Sequence, residues 1–421
     1  MLIVSAFGRG HALAMELAQS EVPVLLVDVS GSLGTAAAED EEGPFGFFSQ
    51  GLRQTESQRL LEDQAPLMQV NGFTWVFGEG PFEMKGPLTM DHRVQLRIPE
   101  NVWNWVCFAS PSANRDLQFL AEGEFDQTWL YHLARSFFAN EWNTFQGPGL
   151  LTGSLPLASD FFVRSMSRAA RKKSFEALRR SGVQVREGAS VVDLAKIGSG
   201  VLQSLEVRLE NSDTAELLTF DHLVWFLSGE ETEKMSQRLR EKMFEKGILQ
   251  AKGSWVRARL KWPALPQREC LPLHSVWVTD RVLPWSHQNL FVLQRTTNAD
   301  LFDLWFRIPE TFRFQKEYVL RHLQEIQGLL ERRLGFQGIE VNDPPLCAVL
   351  PPQAVGPARH PLFDPQELAA YSPPHWTNFD WVGAEACQGL GWNYLLIKAR
   401  KVGSDVLEKW KQSRLRAERL A

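Results

Sequence analysis

The chain has 421 residues, 44% of them hydrophobic and 23% charged, with a formal net charge of −5. That length is about two or three times a typical single domain, so two connected domains with sizeable cores are expected. The near balance of charge excludes a general electrostatic pull toward nucleic acid or acidic membranes and leaves small molecules or proteins as partner classes.

Leu2 to Phe7 form an apolar run suited to a strand buried on both faces, and the following "GHALAMELAQS" places Ala12, Met15, Leu17 and Ala18 in helical rhythm. A second buried strand, "VPVLLVDVS", carries Asp28 at its end. In a strand-helix-strand unit this short, the acid closing the second strand accepts hydrogen bonds from an adenosine ribose, while the helix N-terminus faces a pyrophosphate. The turn between them, "SAFGRG", lacks two of the three expected glycines. Two registers fit it. Ser5, Phe7 and Gly10 take the three positions with Asp28 lying 23 residues after the first, or Gly8 and Gly10 lead to Leu13 with Asp28 lying 20 residues on. In the first register Phe7 replaces the glycine that lets pyrophosphate approach the backbone. Gly8 and Gly10 restore backbone freedom, and Arg9 or His11 adds positive charge at the helix start. A strand-helix turn without a ligand is the competing reading.

Farther on, "NGFTWVFGEGPFEM" reads as a hairpin. A basic amphipathic helix ends at Gly182, the strand "VQVRE" follows, and a short link leads to "SVVDL". The arginines and lysines of that region, including Lys172, Lys173, Arg179 and Arg180, are expected on a solvated helix face. Two more strands precede the buried run Leu223 to Leu227. "GSWVRARLKW" reads as an alternating strand. "EYVLRHLQEIQGLLERRL" is an amphipathic helix with Val319, Leu320, Leu323, Ile326, Leu330 and Leu334 inward. Near the C-terminus a short strand, Phe379 to Val382, runs into Gly383-Ala384-Glu385-Ala386, then Gly389 and Gly391, and a helix starting near Trp392. Glycines between a buried strand and a helix again offer backbone N–H donors to an electron-rich group.

Together these stretches resemble the FAD-dependent amine oxidase and phytoene desaturase superfamily over roughly residues 1 to 35, 155 to 230 and 376 to 415. Asp28 matches the family's acid. Gly34 matches the first glycine of its Gly-Gly-Arg, although Thr35 replaces the second. Gly182-Val183 and Val191 look like the segment that holds adenine through a valine backbone, and Gly383-Ala384-Glu385 with Gly389, Gly391 and Trp392 looks like the C-terminal flavin motif. The resemblance implies an α/β protein: a Rossmann-like FAD-binding domain (two-sheet, GR2-type) with an interleaved α+β substrate domain. It divides the chain into 1–35, 155–234 and 373–421 for FAD and 36–154 and 235–372 for substrate. The site it implies comprises Ser5, Phe7, Gly8, Arg9, Gly10, Asp28, Gly34, Val191, Gly383, Ala384, Glu385, Gly391 and Trp392. In it the last helix would favour the anionic reduced flavin. Asp28→Ala is expected to weaken FAD retention and leave the fold intact.

Two functions follow from these readings. The first is an FAD-dependent oxidoreductase taking hydride from an apolar or amine-type small molecule in an aromatic-rich cavity, in keeping with 15 Trp and 27 Phe against 4 Tyr. The second is a non-catalytic FAD-fold binding protein, like the Rab GDP-dissociation inhibitors, carrying a lipid or protein partner. No catalytic residue stands out. Lys261 reads as a surface lysine, His360 and His375 as structural, and no GxSxG, P-loop or HExxH pattern is present. Cys107, Cys270, Cys347 and Cys387 form no CxxC pair, so neither metal site nor disulfide framework is expected. With neither a signal-peptide pattern nor an uncharged apolar run of 18 residues, a cytoplasmic location without a transmembrane segment is expected.

Overall fold

The computed structural model describes residues 1–6, 8–33, 45–48, 67–70, 73–77, 80–84, 90–95, 100, 161–165, 168–198, 200–210, 212–244, 253–261, 274–278, 290–295, 301–312, 315–334, 340–342, 376–383, 385–386 and 392–420. Strand β1 (Leu2–Ser5), helix α1 (His11–Gln19) and strand β2 (Leu25–Asp28) open the chain. Strands β3 (Phe45–Phe48), β4 (Leu67–Val70), β5 (Phe73–Phe77) and β6 (Gly80–Met84), helix α2 (Met90–Gln95) and strand β7 (Phe161–Ser165) follow. Helix α3 (Arg168–Arg180) leads to β8 (Gln184–Arg186), β9 (Ala189–Gly198), β10 (Val201–Leu209), β11 (Ala215–Thr219) and β12 (Leu223–Trp225). After helices α4 (Gly229–Met235) and α5 (Gln237–Met243) come β13 (Gly253–Lys261), β14 (His274–Val278), β15 (Leu290–Arg295) and β16 (Leu301–Pro309). Helix α6 (Lys316–Leu334), strands β17 (Glu340–Asn342) and β18 (Phe379–Trp381) and helix α7 (Trp392–Leu420) complete the chain.

A five-stranded sheet in the order β18-β12-β1-β2-β8 gathers strands from both ends of the sequence, and all four of its pairings are parallel. Every residue of β1 is buried, as a strand covered on both faces requires. Alternation divides that burial. Ile3 packs with α1, α3 and α7 through Leu13, Met15, Phe175 and Val402 on one face. Leu2 and Val4 pack on the other with Val191, Leu205 and Trp225. The second face is covered by the antiparallel meander β9-β10-β11, which carries a bulge where Val207 pairs with Val191 next to Glu206 with Asp193. Asn378 pins the meander to the parallel sheet: its amide donates to the Leu202 and Asp221 carbonyls and its Oδ1 accepts from the Leu202 N–H. Helix α3 ends in a Schellman turn, with Val183 N–H bonding back to the Leu178 carbonyl at 3.0 Å, which delivers the chain into β8 beside β2.

A second sheet, seven strands in the order β17-β13-β16-β15-β14-β5-β6, has its own core. The hairpin expected from "NGFTWVFGEGPFEM" is the antiparallel pair β5-β6, and the alternating strand is β13. Helix α6 packs Val319, Leu323, Ile326 and Leu330 into this core; Leu320 is half-buried, and the Leu334 side chain lies outside the described residues. Strands β3, β7 and β4 form a third, antiparallel sheet. Among the described residues, no helix is long and apolar enough to cross a membrane and no group of three His, Cys, Asp or Glu is placed to hold a metal.

Candidate functional site

The strand order fixes where a ligand would go. From β1 the chain moves one way to β2 and β8 and the other way to β12 and β18, so the order reverses between β1 and β12. In open parallel sheets the crevice outside the carboxyl ends at such a reversal is where ligands bind. Four turns meet at that edge: residues 6–10 after β1, Asp28–Ser30 after β2, Ser228–Gly229 after β12 and Gly383–Glu385 after β18.

The turn after β1 holds Gly10 hard against the strand. A Cβ on Gly10 would stand 2.9 Å from both Ile3 Cγ2 and Ser5 Cβ. That is the close helix-strand packing required of the third glycine of a dinucleotide fingerprint, and it favours the register Ser5, Phe7, Gly10. Leu13, which the other register would place in that role, is instead a core side chain. Gly8 adopts φ 79°, and Phe7 lies outside the described residues. Ser5 does more than replace a glycine: its Oγ accepts the N–H of Gly10, the residue that precedes α1, at 2.8 Å and so ties the turn back to the strand. Asp28, opposite Ser5 in the β1-β2 register, is buried and accepts from the Ser30 N–H (3.2 Å) and hydroxyl (3.0 Å). Its carboxylate therefore shapes the turn without any ligand, so the expectation that Asp28→Ala leaves the fold untouched is corrected.

The positive charge expected at the start of α1 is not presented to the crevice as a lone cation. Arg9 is 5% exposed; it donates to the Ala6 carbonyl and makes a two-pronged bond to Glu231, 3.0 Å to Oε2 and 2.5 Å to Oε1. His11 is buried against Phe175 with Nδ1 2.6 Å from the Ser174 hydroxyl, an α1–α3 packing contact. Glu231 belongs to a capping box: Ser228 Oγ accepts from Glu231 N–H, and the Glu231 carboxylate accepts from Ser228 N–H at 2.8 Å. Two residues before Glu231, at the start of α4, the Gly229 N–H donates to Glu385 Oε1 at 2.8 Å. A polar chain thus runs Arg9, Glu231, Ser228–Gly229, Glu385 across the ends of β1, β12 and β18, and its ion pair joins the turns on either side of the strand-order reversal.

Glu385 is the least satisfied member. It is 5% exposed, and its Oε2 is sealed from solvent without a hydrogen-bond partner. Burial pushes its pKa up to about 8; the Gly229 N–H and its own backbone oppose the rise, and the Glu231 and Glu230 carboxylates add to it. Gly383 sets its position. A Cβ there would collide with the Leu227 carbonyl and the Trp381 indole nitrogen, which are themselves bonded at 2.8 Å.

Of the other residues singled out in the sequence, Val191 lies in β9 with its side chain in the core beneath the sheet, beside the bulge. Trp392 opens α7, while Gly34, Ala384, Gly389 and Gly391 lie outside the described residues, as do His360 and His375. Lys261 is exposed at the end of β13. Lys172, Lys173, Arg179 and Arg180 are exposed on α3, Arg179 paired with Glu187. Two described tryptophans are structural members of the parallel sheet, Trp225 donating to Thr232 Oγ1 and Trp381 to the Leu227 carbonyl. Glu231 escaped the sequence reading, although "SGEE" after the apolar run Leu223 to Leu227 is a capping-box signature.

No family model matches the chain and no curated protein matches it in sequence. Solved structures do match. An oxidoreductase from Methanosarcina mazei superposes with a TM-score of 0.55 at 13% identity, over 95% of this chain and 99% of its own. A cofactor-binding redesign of putrescine oxidase superposes with a TM-score of 0.55 at 12% identity, over 97% of this chain and 98% of its own. The chain shares the fold of these two proteins.

The residues at the carboxyl edge can be set against what a dinucleotide would need there. Gly10 and Gly383 let the turns pack tightly against the chain's own strands, Asp28 ends the strand next to the turn, and Glu385 holds a buried oxygen that nothing in the described chain satisfies. The fit is poorest at the phosphate turn, where Ser5 takes an amide and Glu231 takes Arg9.

Proposed function

We propose that the chain binds FAD non-covalently along the β1–β12 crevice and works as an FAD-dependent oxidoreductase on an apolar or amine-type small molecule. In this reading residues 1–35, 155–234 and 373–421 form the FAD-binding domain, and 36–154 and 235–372 form the substrate domain. The observation that carries it is the buried Oε2 of Glu385, which finds no partner among the described residues in the turn after β18, since a buried polar atom left unpartnered by the chain calls for a water or a ligand to satisfy it. Asp28 would hold the adenosine ribose, the turn from Ser5 to Gly10 (with Phe7) the diphosphate, Val191 and Gly34 the adenine half, and the segment Gly383-Ala384-Glu385 with Gly391 and Trp392 the ribityl and ring end. The bound flavin supplies hydride acceptance. The chain supplies binding, orientation and exclusion of water. Purified protein should show visible flavin absorbance that bleaches under dithionite, or acquire it on incubation with FAD. Colourless protein indifferent to added FAD would overturn the reading.

A second reading is favoured by one observation. The Arg9–Glu231 pair already joins the turns after β1 and β12, and a fold that satisfies its own first turn can persist as a non-catalytic binding protein carrying a lipid or protein partner.

A further inference from the structure

The chain as a whole is negative, with a formal charge of −5, but its charge is unevenly placed. Helices α3 and α7 carry six and eight basic residues against one and three acidic ones, a local net charge of +10. The total excludes a general pull toward anionic surfaces; a local pull depends on where the charges stand. Here they stand on one layer. Phe175 and Leu178 of α3 and Val402 and Val406 of α7 pack on the same side of the parallel sheet, and α1 touches both helices. On the sides turned away from that core, Lys172 and Lys173 of α3 and Arg400, Lys401, Lys409 and Lys411 of α7 are exposed, and none of the six forms an ion pair with another described residue. Glu176, Asp405 and Glu408 are exposed on the same helices and leave the excess positive. Toward its end α7 leaves the core: Trp410 still packs against it, whereas Lys411 to Leu415 are exposed in succession, on every side of the helix. Arg414 lies 5.4 Å over the Trp410 ring, and the next residue, Leu415, is 55% exposed.

We propose that the outer face of α3 and α7 is a docking surface for an anionic lipid bilayer, with the unpaired cations at the headgroups and Leu415 adding an apolar contact at the end of α7. The proposal stands apart from the FAD reading and needs no part of it. Charge complementarity selects an anionic occupant, and two features select lipid over nucleic acid. All but Arg400 of the six unpaired cations are lysines, point charges suited to a diffuse headgroup layer, while the guanidinium forks of Arg179 and Arg414 are occupied by Glu187 and Glu21. An exposed leucine beside basic residues has a place at a lipid interface and gains nothing against a phosphate backbone.

The test is co-sedimentation of the full chain with vesicles of phosphatidylcholine alone and of phosphatidylcholine mixed with phosphatidylserine. Wild type should sediment with the mixed vesicles, stay in solution with the neutral ones, and be released by about 0.5 M salt, which screens exposed charges. A lysine near an anionic bilayer strengthens partition about fivefold. Lys401→Gln/Lys409→Gln/Lys411→Gln should therefore weaken binding about a hundredfold, and Lys172→Gln/Lys173→Gln, on the other helix, about 25-fold. Both variants should keep the wild-type circular dichroism and Tm, since every altered side chain is exposed. Equal sedimentation with neutral and mixed vesicles, or undiminished binding by both variants, overturns the proposal. Binding to duplex DNA with none to mixed vesicles overturns the lipid assignment.

Discussion

Replacing Arg9 by methionine is the most informative single perturbation of the polar chain. The Arg9 and Glu231 side chains are 6% and 1% exposed, so the pair is effectively out of water. Removing the guanidinium strips Glu231 of two charge-assisted bonds, 2.5 and 3.0 Å, and leaves it only the Ser228 N–H. Breaking a buried pair from one side costs about 3–5 kcal/mol because the survivor is an uncompensated charge. With total stabilities of about 5–15 kcal/mol, that is a large fraction. Glu231→Gln should also destabilise, by leaving the guanidinium without its counter-charge, whereas Arg9→Met combined with Glu231→Leu should cost much less than the sum, with a coupling of about 2 kcal/mol or more. Urea unfolding at pH 7 on the four proteins measures the cycle. An Arg9→Met cost under about 1 kcal/mol, or strict additivity, would refute the claim that this ion pair ties the β1 and β12 turns together.

The remaining predictions concern single sites. Gly383→Ala should destabilise by about 1–3 kcal/mol and lower Tm, because the new methyl group meets the rigid Leu227 carbonyl and the Trp381 ring nitrogen; an unchanged Tm would show that the turn relaxes freely. Asp28→Ala should cost about 1–3 kcal/mol in the FAD-free protein, since Ser30 loses its acceptor for both N–H and hydroxyl; a fold as stable as wild type would mean these bonds contribute nothing. Burial lowers the His322 pKa below its ordinary value of 6.5, against the raising effect of Glu325. The unfolded chain then binds this proton before the folded one does, so stability is lost as pH falls below about 6.5. His322→Gln should flatten that acid limb in a Tm-versus-pH series, and an unaltered limb would remove His322 from the account.

Much of the parallel sheet was legible because its strands are covered on both faces and therefore read as short apolar runs. Leu2 to Ser5, Leu25 to Asp28 and Leu223 to Trp225 are of that kind. Helix α6 was legible for the opposite reason: it is covered on one face only, and its buried residues recur at helical spacing. The chain linking the turns was not legible as a whole. Arg9 and Glu231 are 222 residues apart, and no local period announces that two turns will meet at one sheet edge. Its local pieces were open to reading. Ser228 and Glu231 have capping-box spacing, and Asp28 two residues before Ser30 is an Asx-turn pair. Ser5, read as a worn glycine, accepts the Gly10 N–H from the strand.

That substitution explains how a phosphate turn short of glycines keeps its shape. In a dinucleotide fold the ligand itself satisfies helix N–H groups and joins the turns on either side of the strand-order reversal. Here Ser5 takes the Gly10 N–H, Glu231 joins the β1 and β12 turns through Arg9, and Gly229 joins β12 to the turn after β18. Each of these bonds is made inside the chain, so the carboxyl edge holds together before any cofactor arrives. The same bonds set the terms on which a diphosphate can enter. If the ion pair is the floor of the cofactor site, the Arg9→Met/Glu231→Leu protein should bind FAD no better than wild type. If instead the pair stands where the diphosphate would lie, removing both charges should raise FAD affinity, and the binding-protein reading would then account for the wild-type chain better than the redox one.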